Sequence, residues 1–80
     1  MKVYLRSVDD VRSVVDEATQ MQINAYVGHQ NGFVDIKSIM GIFSLNLLEY
    51  LQLRFENESS HRITTFINHL RLKGIKVEEE

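Results

Sequence analysis

Two hydrophobic periods alternate along this chain, and no other feature restricts its fold as much. Residues 2–6 put Val3 and Leu5 on one face and Tyr4 on the other, the period-two pattern of a short strand. Val8, Val11, Val14, Val15 and Ala18 then recur at helical spacing to about Gln20. Ser7 is placed as the N-cap of this helix, and Asp9 and Asp10 fall in its first turn, where the helix dipole favours carboxylates. Valine is a mediocre helix former, so the helix rests on pattern more than on propensity. Residues 22–29 alternate again, with Ile23, Ala25 and Val27 on one face and Gln22, Asn24 and Tyr26 on the other. Gln30-Asn31-Gly32 follows, and an Asn-Gly step before the apolar run 33–36 is a hairpin signal. Ser38 opens a short apolar segment ending at Leu45, suited to two helical turns. Residues 47–56 alternate, with Leu47, Leu51, Leu53 and Phe55 inward. Ile63, Phe66, Ile67 and Leu70 stand at i, i+3, i+4 and i+7, the strongest helix signature in the chain. Ser59 or Ser60 can cap that helix; Lys73 and Gly74 end it, with Ile75 placed for the apolar contact of a Schellman stop. The order is βαββαβα: four half-buried strands with helices on one face, an α+β open-faced sandwich.

Size decides how such a sandwich is stabilised. Eighty residues make one domain, which buries only about 60–65% of the surface its unfolded chain exposes, so the core must be economical. The chain contains no cysteine, hence no disulfide staple, no thiolate nucleophile and no thiolate-bound metal. An apolar share of 44% and a charged share of 25% exclude a disordered, coiled-coil or collagen-like chain. No apolar stretch approaches the ~20 residues of a membrane helix, and Met1-Lys2 leads into mixed residues instead of the apolar block of an export signal. The expected compartment is therefore the cytoplasm. A net charge of −2 supplies no general basic field for nucleic acid or anionic lipid. Proline is absent, against an average usage of ~5%. Residues 1–80 read as a single domain whose end, from about residue 76, is expected to be a frayed acidic tail around Glu78-Glu79-Glu80.

Residues 37–45, Lys-Ser-Ile-Met-Gly-Ile-Phe-Ser-Leu, resemble the K-S-I-M-G-[VIL]-[ML]-S-L segment of the HPr family, the small phosphocarriers of the bacterial sugar phosphotransferase system. They follow Val34-Asp35-Ile36, where the family commonly shows an apolar-Asn-apolar triplet, and the Lys-Gly ending of the last helix is also similar. The resemblance implies an HPr-like fold over essentially the whole chain, with a four-stranded antiparallel sheet covered by helices on one face.

The sequence departs from that family where the family does its chemistry. A phosphate-carrying HPr has a G-[IL]-H-x-R-P type segment between the first strand and first helix. Here residues 5–12 read Leu-Arg-Ser-Val-Asp-Asp-Val-Arg, with no histidine, glycine or proline. Asp9 and Asp10 add negative charge where a phosphoryl group needs positive surroundings. The resemblance therefore implies a protein without histidine phosphocarrier activity: no enzyme, but a regulatory or protein-binding module. The competing reading is a phosphocarrier with an unconventional acceptor such as His61, in the first turn of the last helix. His29, His61 and His69 otherwise read as ordinary surface or partly buried side chains, and no pair has metal-site spacing on one helix face. Asp16 and Glu17 read as a solvated helix face, and Gly28 and Gly32 as turn residues. No nucleophile–base pair or phosphate-cradling glycine loop accompanies them.

Ser38 is the candidate regulatory site. In many family members the matching serine is phosphorylated by a dedicated kinase, and the modified protein acts as a corepressor or metabolic signal. A phosphate of about −2 charge at a helix N-terminus is stabilised by the dipole and backbone N–H groups. The plain alternative is an N-cap, worth about 1 kcal/mol with or without a kinase. Ile39, Met40 and Phe43 match family side chains that form an exposed, partner-docking patch, although one side of so short a helix must pack on the sheet, for which Ile42 and Leu45 are the expected residues. Phe43 stands where methionine is commoner. The implied partners are proteins, an HPr-type serine kinase or a transcriptional regulator; no nucleic acid, membrane, metal or cofactor is expected.

Overall fold

Three serines start the three helices in the same way. Ser7, Ser38 and Ser59 hold extended backbone, and each hydroxyl oxygen accepts the amide N–H three residues on, from Asp10 (3.0 Å), Gly41 (3.1 Å) and Arg62 (3.2 Å). They open α1 (Val8–Met21), α2 (Ile39–Phe43) and α3 (Ser60–Leu72) of the computed structural model, which describes residues 1–79. Helix α3 ends in the expected Schellman motif: Gly74 is left-handed at φ 83°, Ile75 N–H bonds to the Leu70 carbonyl (3.1 Å) and Gly74 N–H to that of Arg71 (3.0 Å). Helix α1 ends in the same pattern, with Ile23 N–H on the Ala18 carbonyl and Gln22 N–H on that of Thr19. There the left-handed position is filled by Gln22, at φ 50°. Gln22 therefore closes a helix and does not begin a strand.

The strands are β1 (Lys2–Tyr4), β2 (Ala25–His29), β3 (Gly32–Asp35), β4 (Leu51–Phe55) and β5 (Lys76–Glu78), in one sheet of order β3-β2-β4-β1-β5 with every neighbouring pair antiparallel. This is the α+β open-faced arrangement with one strand more than expected. The fifth comes from the residues taken for a frayed tail: Lys76, Val77 and Glu78 pair with Tyr4, Val3 and Lys2, and Val77 is buried. The Arg71 guanidinium holds the strand by donating to the Val77 carbonyl at 2.8 Å. The tail thus begins at Glu79, while Glu80 lies outside the described residues. The β2–β3 turn is also displaced by one residue. His29 pairs with Gly32, so Gln30-Asn31 forms the two-residue loop, and neither has positive φ. Gly28, read from sequence as a turn residue, lies within β2. A Cβ there would collide with the Gly32 carbonyl oxygen and stand 2.7 Å from Phe33 Cα.

One face of the sheet carries Val3, Ala25, Val27, Leu51, Leu53 and Val77 into the core, against Val11, Val14 and Ala18 of α1, Ile42 of α2, and Phe66, Ile67 and Leu70 of α3. The other face has no helix on it and shows Lys2, Tyr4, Tyr26, Phe33, Gln52 and Arg54, the alternate positions of the same strands. Glu17 corrects the solvated-face reading of α1. It is 7% exposed, the one buried charged residue among those described, and its carboxylate accepts from His69 Nδ1 at 2.9 Å with Lys73 Nζ at 3.7 Å. A second carboxylate, Glu58, is enclosed where α3 meets the end of α1. It accepts from Asn24 N–H (2.7 Å) and Arg62 Nε (2.7 Å), and the same guanidinium donates to the Met21 carbonyl (2.7 Å). No described helix is long and apolar enough to cross a membrane.

Candidate functional site

The segment around Ser38 is built by short-range polar contacts that leave two of its apolar side chains, Met40 and Phe43, outside. Asp35, at the end of β3, turns the chain by accepting the Lys37 N–H on Oδ1 (2.8 Å) and the Ser38 N–H on its carbonyl (2.9 Å). Lys37 Nζ reaches back to the Ile23 carbonyl (2.6 Å) and to Asp35 Oδ1 (3.0 Å), fixing the lead-in of α2 to the link between α1 and β2. Gly41 is the point of closest approach. A Cβ there would lie 3.0 Å from both Ser38 Oγ and Val34 Cβ, so glycine lets the helix rest on β3 while its N–H meets the capping hydroxyl. Ser44 closes the helix by donating its hydroxyl to the Gly41 carbonyl at 2.6 Å, so α2 ends at Phe43, two residues before Leu45, where the sequence pattern ended it.

These constraints sort the apolar side chains of α2. Ile42 is fully buried, and Leu45 and Ile39 pack half-buried against the core. Met40 is 80% exposed and Phe43 43%. Phe43 does not stand alone. With Leu5, Val8, Leu47 and Leu48 it borders a cleft of about 270 Å³ between α2 and the β1–α1 loop, and Leu48 is 96% exposed. Val8, Leu47 and Leu48 extend the patch beyond the three residues singled out from sequence, with the buried Leu5 beneath them. A signal for Leu48 existed: two consecutive leucines at 47 and 48 break the period of two, so one must point away from the core. The strand accordingly begins only at Leu51, not at residue 47.

Next to the cleft, the N-terminus of α1 already has its own acceptors. Ser7 Oγ takes the Asp10 N–H, and Asp10 Oδ2 takes the Arg6 N–H at 2.9 Å. The three histidines lie elsewhere. His29 Nε2–H donates to the Asn46 carbonyl (2.9 Å), His69 is engaged with Glu17, and His61 is exposed in the first turn of α3. No group of three potential metal ligands occurs among the described residues.

An all-antiparallel sheet with three helices on one face, an N-capped Ser38 helix and a Lys73-Gly74 helix stop together define an open-faced sandwich of the HPr-like kind. Among solved structures the chain is similar to that of Crh, the catabolite repression protein of Bacillus subtilis, with a TM-score of 0.62 and 20% identity over 99% of this chain and 90% of that one. That crystal structure shows an intertwined dimer with a swapped domain. No family model and no curated relative matches the sequence.

Proposed function

We propose that this chain is a cytoplasmic, non-enzymatic HPr-like module that binds a protein partner through the α2 patch, with Ser38 as its regulatory phosphorylation site. The observation that carries the reading is the exposure of Met40 and Phe43 on a helix capped at its two ends by Ser38 and Ser44, beside an apolar cleft that includes Leu48. Exposed apolar clusters of this kind favour association, and methionine suits adaptable contacts. The occupied donors at the start of α1 support loss of the histidine carrier role: Asp10 supplies the negative charge that a phosphoryl group would otherwise bring to the loop. The Ser38 hydroxyl oxygen accepts one amide N–H and keeps a lone pair for attack on the γ-phosphorus of ATP, releasing ADP and the hydroxyl proton. The fold of Crh, a catabolite repression protein, suits regulation of this type.

The experiment is incubation with an HPr-type serine kinase and ATP, followed by intact-mass measurement. One added phosphoryl group, absent from Ser38→Ala, is expected. An unchanged mass, or equal labelling of the variant, rejects the regulatory part of the proposal. The docking part is tested separately with Met40→Asp/Phe43→Asp, which should abolish binding of a transcriptional regulator captured by the wild-type chain while leaving the circular dichroism unchanged.

A further inference from the structure

At the end of the open sheet face lies a second cleft, of about 760 Å³, walled by the β2–β3 turn, the loop preceding β4 and the outward residues of β1 and β4. Small-molecule sites occupy roughly 300–1,000 Å³. We infer that this cleft binds a neutral saccharide, a site that meets the α2 patch only at Leu48. Its lining is dominated by two tyrosines, Tyr4 and Tyr50, and four amides, Gln30, Asn31, Asn46 and Gln52, with His29, Leu48 and Glu49 completing it.

The tyrosines and the amides of that lining suit a polyol. The tyrosine rings are 6.0 Å apart and tilted by 52°. Both are braced by lysines that do not border the cleft, Lys2 Nζ lying 4.6 Å from the Tyr50 centroid and Lys76 Nζ 4.7 Å from that of Tyr4. An aromatic face is electron-rich and attracts the weakly positive C–H groups on the apolar side of a pyranose ring. A carboxamide carries both donors and acceptors, and so does a sugar hydroxyl; Gln30, Asn31 and Asn46 can therefore satisfy several hydroxyls without a charge. The side chains of Gln30 and Asn31 have no intramolecular hydrogen bond. Asn46 Oδ1 accepts the Leu48 N–H (3.1 Å), which orients its NH₂, and its carbonyl is held by His29 Nε2 (2.9 Å), so the loop is tied to the hairpin before any ligand arrives.

The other ligand classes fit poorly. Glu49 borders the cleft, so a phosphate or carboxylate would meet a like charge there. The nearest lysines and arginine, Lys2, Lys76 and Arg6, lie over the tyrosine rings and do not border it, and His29 Nε2 is engaged by the Asn46 carbonyl. Leu48 is the one aliphatic side chain there, too little surface to hold an apolar ligand.

Chemical-shift titration of ¹⁵N-labelled protein tests this with glucose, galactose, mannose, N-acetylglucosamine and maltose, each alone, and with glucose 6-phosphate as the anionic control. At least one neutral sugar should give saturable, millimolar shifts confined to the amides of Gln30, Asn31, Asn46, Leu48 and Gln52. Tyr50→Ala should weaken that binding roughly tenfold, the loss of one stacking contact. Asn31→Ala, in an exposed turn, should also weaken it and keeps the test valid if the tyrosine variant fails to fold. The inference is overturned if no neutral sugar gives saturable shifts, if glucose 6-phosphate binds more tightly than glucose, or if both variants bind as the wild type does.

Discussion

At the scale of single residues, the two left-handed helix stops allow a controlled comparison. Gln22 and Gly74 occupy the same position in the same hydrogen-bond motif, but only one is glycine. A side chain in the left-handed region costs about 1–2 kcal/mol, partly offset by the ~0.5–1 kcal/mol of extra entropy that glycine loses on folding. Gln22→Gly should therefore stabilise the chain by about 0.5–1 kcal/mol, and Gly74→Gln should destabilise it by a similar or larger amount. Urea denaturation of both variants checks the opposed signs. A Cβ at Gly74 meets nothing within 4 Å, so any loss there comes from backbone conformation and not from a clash. Glu17 gives a second asymmetry. Its carboxylate is buried, whereas the side chains of His69 and Lys73 are 44% and 38% exposed and can return to water. His69→Ala leaves a buried acceptor short of a donor and should cost about 1–3 kcal/mol. Glu17→Leu removes the buried charge itself and should stay within about 1 kcal/mol of wild type. Equal losses in the two denaturation curves would contradict this account.

At the scale of elements, what was legible in the sequence depended on whether an element carries its own signal. The helices do: a serine stands one residue before the apolar stripes of α1 and α2 and four before that of α3, and the structure uses Ser7, Ser38 and Ser59 as caps. Of the α2 side chains, the glycine and Ile42 explain themselves by packing, while the exposure of Met40 and Phe43 depends on how far the helix rests on Val34, which spacing alone does not state. Strand β5 had almost no signal of its own. Three residues with one apolar side chain form a strand because the edge of β1 offers unpaired backbone groups, a tertiary cause that local pattern does not contain. Burial of Glu17 was hidden for a similar reason, since its partners, His69 on α3 and Lys73 just after it, are 52 and 56 positions away by residue number. The strand makes a prediction that a frayed tail would not. Deleting residues 76–80 removes the burial of Val77 and should destabilise the fold by about 2–3 kcal/mol. It also bares the β1 edge, so sedimentation should show more self-association than the full chain does. Unchanged stability on truncation would mean that β5 contributes no packing.

At the scale of the whole molecule, the fold is closed by two ionisable contacts far apart in sequence. Glu58 and Arg62 join the start of α3 to the link between α1 and β2, and the hydrogen bond from the Tyr4 hydroxyl to the Glu78 carboxylate joins the first strand to the last. Hydrogen bonds from Arg62 and from the Asn24 amide hold the Glu58 carboxyl below its usual range, and the bond from Tyr4, aided by Lys76, does the same for Glu78. A carboxylate whose folded pKa lies below its unfolded value contributes stability that is complete above the unfolded value and is lost as pH falls through the folded one. Tyr4 works in the opposite sense. Its phenol is raised, chiefly because it donates to Glu78, so the folded state favours the protonated form. That contribution is complete below the ordinary phenol pKa and disappears as pH rises through the raised value. Melting temperature against pH should therefore show a plateau falling away on both sides, and the two limbs belong to different contacts. Glu58→Gln should lower the plateau and flatten the acid limb while leaving the alkaline limb intact. Tyr4→Phe should flatten the alkaline limb, and the acid limb in part, because Glu78 loses its donor. Were the alkaline limb to persist unchanged in Tyr4→Phe, closure of the sheet would owe nothing to the bond between its first and last strands.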